Sequence, residues 1–260
     1  MIRECSDGIV LYRFEGLSGV EGLTHAVLTR LGGVSRPPYA TLNLGHTVGD
    51  DLPAVEENHR RALEPLGLDL CQIVSPYQVH GARVGIVGRV HRGSVQPATD
   101  ALVTAVPGVP LLLRFADCTP VLLFDPVRRV AGLAHAGWQG VAAGVVPAAV
   151  RVLVERLGCR PADLWAGIGP TIGPCCYAVG PEVASAAQAA CLPGADVVRC
   201  ANGQVYLDMP AAVQAQLGAV GVEQIEDAGM CTACHVDEFF SHRAEGGHTG
   251  RFGVLIGMVE

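Results

Sequence analysis

Three short apolar runs crowded into one stretch constrain this chain most. Val109–Leu113, Val121–Phe124 and Val130–Leu133 all lie within residues 109–138, VPLLLRFADCTPVLLFDPVRRVAGLAHAGW. Polar or turn-forming residues separate them, first Ala116-Asp117-Cys118-Thr119-Pro120 and then Asp125-Pro126. Apolar runs this short, closed off by Pro, Asp and Gly, read as strands buried on both faces. Cys118 sits in the first polar break. The third run leads directly into His135, flanked by Ala134, Ala136 and Gly137. A Cys and a His therefore stand at or near strand ends, beside residues small enough to let other groups approach. Upstream, IVSPYQVHG (73–81) places His80 after a short apolar segment and before a glycine.

Cys and His are the side chains that bind zinc best, and a Cys thiolate is also a nucleophile. The 38 positions from His80 to Cys118 and the 17 from there to His135 match no compact zinc ribbon or finger. Spacing alone leaves open a buried Cys and two His satisfied by the backbone.

Half of the residues are hydrophobic and 17% are charged, so material for a large core is ample. The apolar mass is Val, Leu and Ala, as expected of sheets covered by helices. Net charge is −7, and basic residues cluster only as Arg60-Arg61 and Arg128-Arg129. A nucleic-acid surface needs a basic stripe to neutralise phosphates, so none is expected. The N-terminus carries charges where a signal peptide needs an apolar core, and no run has the length of a membrane span. The expectation is a cytoplasmic monomer without membrane contact. Ten cysteines in such a compartment are free thiols or metal ligands rather than disulfides.

Along the chain, residues 9–14 and 23–29 read as strands, and 32–51 as a Gly- and Pro-rich loop. Leu52–Leu66 reads as a helix with Pro53 in its first turn and Arg60 and Arg61 on a solvated face. Strands are expected at 73–79, 83–90 and 100–103. A helix is expected over 141–157, with a kink or a start near Pro147. A strand at 164–168 runs into GPTIGPCCYAVG, which matches neither a phosphate loop nor a dinucleotide fingerprint. Helices at 182–190 and 207–217, the latter with Asp208 near its N-cap, and strands at 222–225 and 252–256 complete the reading. No repeat, linker or low-complexity tract appears, so residues 1–260 are expected to form one domain.

Nine blocks carry a family resemblance: PYATLNLGHTVGDD (38–51), VEENHRRAL (55–63), QVHG (78–81), TDALVT (99–104), FADCTPVLLFDP (115–126), AHAGWQG (134–140), GIGPTIGPCCYAVG (167–180), LDMPAAV (207–213) and CTACHVDEFFSHRAEGGHTGRF (231–252). Together and in this order they resemble the YfiH-type, or laccase-domain, family of purine nucleoside enzymes. The resemblance implies an α/β/β/α sandwich. It also implies a zinc ion held by His80, Cys118 and His135, with a position left open for water or substrate. The implied activity is phosphorolysis of adenosine, inosine, guanosine or methylthioadenosine, with deamination of adenosine; the partners are purine nucleosides and phosphate. Asn43, in the block bordering the family's active site, is implied as a substrate contact.

Other positions rest on weaker arguments. Gln78 shares a face with His80 if the segment is extended, because side chains alternate along a strand. Asp117 could orient a ligand, move a proton or cap a turn. Arg251 has the fork that clamps phosphate or carboxylate. Cys231 and Cys234 form a CxxC, and a four-cysteine zinc with Cys175 and Cys176 is conceivable. Adjacent cysteines are poor partners in one tetrahedral site, however, so plain thiols are expected.

Alternatives from other classes stay open. Cys118 and His135 could form an amide hydrolase acting on peptidoglycan precursors. The family's copper polyphenol oxidase label makes copper the alternative metal, although nine scattered His cannot build a multicopper set. A metal-stabilised scaffold without turnover is a further reading. The chain departs from the family pattern at Gln139, His59, His242 and Gly229, which bears on substrate preference.

Overall fold

In the apolar runs, successive residues face opposite sides, so a strand without polar residues must be covered twice. The computed structural model, which describes residues 1–259, shows this residue by residue. In Thr119–Asp125, Val121 and Leu123 join one core cluster, while Leu122 and Phe124 join another. Val130–Ala136 divides in the same way, with Val130, Ala134 and Ala136 on one side and Ala131 and Leu133 on the other.

Two sheets result. One is antiparallel throughout, in the order Ile2–Ser6, Ile9–Arg13, Leu23–Leu28, Phe252–Met258, Leu111–Phe115. The other is mixed, in the order Gln224–Asp227, Trp165–Ile168, Thr119–Asp125, Val130–Ala136, Ala101–Thr104, Val84–Ile86, with parallel pairs at its two edges. Leu111, Leu113, Phe115, Val254 and Ile256 of the first sheet meet Leu102, Leu122, Phe124 and Leu133 of the second in the central core. The outer face of the second sheet packs on the helices Val145–Leu157 and Met209–Ala219. The outer face of the first, through Leu11, Ala26 and Leu28, is covered by Leu42, Leu44 and the helix Leu52–Leu63. The layers are thus α/β/β/α, as the family resemblance implies.

Several local expectations hold. Pro53 lies in the first turn of Leu52–Leu63, and Asp208 caps Met209–Ala219 by accepting from the Ala211 amide. The helical stretch 138–157 is broken by Gly144, whose φ of +75° starts a new helix at Val145, so Pro147 falls in a first turn, where its missing N–H costs nothing. Arg60 and Arg61 bind Glu57 on the helix surface, and Arg60 also binds Glu64.

Three expectations need correction. The long strands at 73–79 and 83–90 shrink to Ser75–Pro76 and Val84–Ile86. Between them the amides of Val79, His80 and Gly81 all donate to the carboxylate of the distant Asp100, so the chain turns there instead of running on in a ladder. The strand at 222–225 lies instead at Gln224–Asp227. A small hairpin, Val198–Ala201 with Gln204–Leu207, occupies a stretch where no strand is expected. No helix among the described residues is long and apolar enough to cross a membrane.

Candidate metal centre and substrate cavity

Pairing of Thr119–Asp125 with Val130–Ala136 aligns Ala136 with Thr119 and His135 with Pro120, which carries His135 back beside Cys118. His80 arrives from the loop after Ser75–Pro76, and its ring lies edge-on to that of His135 with centroids 4.8 Å apart. The ligand atoms of His80, Cys118 and His135 lie within 4.8 Å of one another. Two backbone features make this convergence. His80 (φ 61°) and Asp117 (φ 82°) both take the left-handed conformation that non-glycine residues rarely adopt, and such strain concentrates at functional sites. Gly137 supplies the room: a Cβ there would stand 3.0 Å from both the Cys118 Sγ and the His80 Cδ2.

Asp100 holds the arrangement together. It is fully buried, and its Oδ1 is 3.0 Å from the His135 Nδ1. The Nε2 of His135 is thereby left for a ligand. Burial pushes the His135 imidazolium down, yet the neighbouring Cys118 and Asp100 outweigh it and raise the group to about 9. Burial pushes the Cys118 thiol up, and His135 and His80 overcome this, drawing it down to about 6. A thiolate and two imidazoles, one oriented by a carboxylate, are the donor set of a borderline metal such as zinc. The residues present fit such an ion.

The centre forms one end of a cavity of about 720 Å³. Arg114, Arg243 and Arg251 line it, and Ile172, Tyr177, Trp138 and Met209 add apolar surface. The Arg114 Nε donates to the Leu44 carbonyl, one Arg243 nitrogen donates to the Ala178 carbonyl, and one Arg251 nitrogen donates to the carbonyls of Thr249 and Gly250. None of the three forms an ion pair with a carboxylate among the described residues. Burial lowers the Arg114 guanidinium to about 10, and it lowers Arg251 as well.

The residues singled out from sequence divide by position. Gln78, Asp117 and Arg251 line the cavity together with His80, Cys118 and His135. Asn43 does not. It is fully buried; its side chain donates to the Gly45 carbonyl and to Asp50 and accepts from the amides of Gly45 and Arg251, so it latches the cavity wall from behind. Gln78 also has a positioning task, since its amide exchanges two hydrogen bonds with the Arg114 backbone. The Asp117 carboxylate accepts from the Thr232 hydroxyl and the Arg243 amide, at 2.6 Å each, and so ties the cavity to the 229–243 loop.

Sequence reasoning misses Arg114, Arg243 and Tyr177 as cavity residues, and Asp100 as the orienting carboxylate. Arg114 has a readable signal, a lone charge inside the apolar run LLLRF. Among the departures from the family pattern, Gln139 and His242 line the cavity. His59 lies outside it, stacked on His46 with ring centroids 4.9 Å apart and bonded to the Leu44 carbonyl.

An α/β/β/α sandwich with a His/Cys/His group that could hold a metal, set in an arginine-lined cavity, defines the class of this fold and site. Within that class, the chain belongs to the family described as multi-copper polyphenol oxidoreductase laccase, whose family model matches residues 24–259. It is similar to the purine nucleoside phosphorylase YlmD of Geobacillus stearothermophilus, 39% identical over 252 residues that cover 93% of this chain and 90% of the relative. It is also similar to the purine nucleoside phosphorylase SCO2081 of Streptomyces coelicolor, 44% identical over 86% of this chain and 91% of the relative. The crystal structure of YlmD from Geobacillus stearothermophilus superposes with a TM-score of 0.93, at 37% identity, over 99% of this chain and 98% of that one.

Proposed function

We propose that this chain is a zinc-dependent purine nucleoside phosphorylase that also deaminates adenosine, carried by a single YfiH-like domain. One observation bears most of the weight: the His80/Cys118/His135 centre opens into the same cavity as three arginines that form no ion pair with a carboxylate among the described residues. A phosphate dianion would supply the missing negative charge through charge-assisted, bidentate contacts. The names of the relatives point the same way.

In phosphorolysis the bond from ribose C1′ to the purine nitrogen breaks, and a phosphate oxygen bonds to C1′. The products are ribose 1-phosphate and the free base. Arg114, Arg243 and Arg251 hold the phosphate, and Tyr177, Trp138 and Met209 supply apolar surface for the purine. Asp117 fixes the loop that carries Arg243, Gln78 fixes the strand that carries Arg114, and Asn43 fixes Arg251. Zinc at His80, Cys118 and His135 supplies Lewis acidity and lowers the pKa of water. That chemistry suits attack of water at C6 of adenosine, which releases ammonia and leaves inosine. Neither ligand group in the described residues brings the many His of a multicopper oxidase, so oxidation of polyphenols is not the reading proposed.

The order Cys118, His135, Asp100 favours a second reading, because it is that of a nucleophile, its base and an orienting carboxylate. The test is chromatography of adenosine incubated with the zinc-loaded protein, with and without phosphate. Adenine that appears only with phosphate, and inosine without it, are the expected products. Absence of both, together with amide hydrolysis that survives chelator and stops with iodoacetamide, would replace the proposal with the hydrolase.

A further inference from the structure

Outside the cavity, a second group of metal-ligand side chains converges, made of cysteines alone. The sulfurs of Cys175, Cys176, Cys231 and Cys234 all lie within 4.8 Å of one another. Cys234 Sγ is 3.6 Å from Cys175 Sγ and 3.4 Å from Cys176 Sγ. A zinc–sulfur bond of about 2.3 Å places the sulfurs of a tetrahedral tetrathiolate about 3.8 Å apart. We propose that these four cysteines form a second, closed zinc site of structural type, distinct from the His/Cys/His centre.

The backbone prepares the site. The segments carrying the two cysteine pairs are joined by a parallel bridge between Thr171 and Cys231, and the Thr232 amide donates to the Thr171 carbonyl. Adjacent cysteines point apart in an extended strand, which is why the sequence argues against them as partners. Here residues 174–176 form a turn, in which the amides of Cys176 and Tyr177 both donate to the Gly173 carbonyl, and both sulfurs reach the same side. On the other segment the Cys234 amide folds back onto the Cys231 carbonyl. The Gly173 amide donates to Cys231 Sγ at 3.2 Å, a contact that stabilises a thiolate. Gly173 also keeps the sulfurs accessible to one another, since a Cβ there would stand 3.3 Å from Cys175 Sγ and 3.5 Å from Cys231 Sγ. All four cysteines are free thiols.

Four protein ligands leave no open position, so the ion is a staple and not a reactant. It binds the loop that carries Ile172 and Tyr177 to the loop that carries Thr232 and Arg243, which meet again at Asp117. Binding displaces the thiol protons and orders two cavity walls at once.

The test counts metal in the full chain, expressed with zinc and purified under reducing conditions, by elemental analysis and native mass spectrometry. Two zinc ions per chain are expected. The His80→Ala/Cys118→Ala chain should keep one ion, and with cobalt it should show the intense visible absorption of a tetrathiolate. The Cys176→Ser/Cys234→Ser chain should lose that ion and keep the other. X-ray absorption of the wild-type protein, which needs no variant to fold, should show a zinc shell dominated by sulfur. A wild-type chain holding a single ion, a shell dominated by nitrogen and oxygen, or a Cys176–Cys234 disulfide in the reduced protein would overturn the proposal.

Discussion

One oxygen of the Asp100 carboxylate, Oδ1, accepts both from the His135 ring and from the His80 backbone amide, at 3.0 Å and 2.9 Å. One buried side chain thus orients two of the three candidate metal ligands. It also accepts from the amides of Val79 and Gly81, so it sets both the ring of one ligand and the peptide path of the other. Burial works against this carboxylate, but His135 and those amides outweigh it and hold its pKa below the usual range.

Removing the Asp100 charge should therefore loosen the metal rather than unfold the chain. Asp100→Asn is expected to weaken zinc binding roughly 10- to 100-fold, the usual cost of losing the group that orients a metal-bound histidine. Competition with a chromophoric chelator measures it, with circular dichroism as the check on folding. Wild-type affinity in the folded variant would rule out this role.

Gly137 can be tested by adding one carbon. In Gly137→Ala the new methyl would press on the Cys118 sulfur and on the His80 ring, 3.0 Å from each. Both are candidate ligands, so zinc content and nucleoside turnover should fall together while the thermal midpoint changes little. A variant with full zinc and full turnover would show that the pocket has more slack than its geometry implies.

The arginines should separate phosphate from nucleoside. A hydrogen bond to a charged group is worth about 1.5–3 kcal/mol. Arg251→Gln should accordingly raise KM for phosphate by roughly one to two orders of magnitude. Initial rates at varied phosphate and fixed adenosine provide the measurement. Equal changes in KM for both substrates would assign Arg251 to the architecture of the cavity instead.

Two buried histidines outside the cavity lining govern acid stability. His25 accepts from the Phe14 amide through Nε2, so it is neutral in the fold; burial first, then Arg13, lowers it to about 4. His59 is lowered to about 3, mainly by burial, with Arg114 and His46 adding to the effect. The unfolded chain then binds more protons than the folded one below the ordinary histidine value of about 6.5. Stability should decline as pH falls through that value and go on declining toward the folded values. The full loss should be on the order of 3 kcal/mol for His25 and on the order of 5 kcal/mol for His59, since each pH unit between the unfolded and folded values contributes about 1.4 kcal/mol. Urea unfolding at a series of pH values tests this, and His25→Gln should flatten the dependence. A midpoint constant from pH 7 to about pH 5 would refute it.

Much of the fold is legible because its rules are local. In Thr119–Asp125 and Val130–Ala136 an unbroken apolar run means two covered faces, and each residue's face follows from its parity. Pro53 and Asp208 mark helix boundaries through their own backbone or capping chemistry. The long strands expected on either side of His80 stop short of it, where the amides of Val79, His80 and Gly81 are taken by Asp100, a residue 19 to 21 positions away that no window on the segment contains. Asn43 belongs to a block that borders the site, but its four hydrogen bonds turn it into the wall behind.

The sequence by itself determined most of the central strands, most of the helices and, through the order of its blocks, the family and the three ligands to look for. Tertiary structure alone decided what surrounds those ligands. The joining of Asp100 to His135, the gathering of Arg114, Arg243 and Arg251 around one cavity, and the meeting of Cys175-Cys176 with Cys231 and Cys234 all unite side chains from separate segments. The physical reason is directional. Parity along a strand says which face a side chain takes, but where two faces meet depends on sheet pairing. Where a loop turns its side chain depends on hydrogen bonds made across the fold, as at His80 and Asp117.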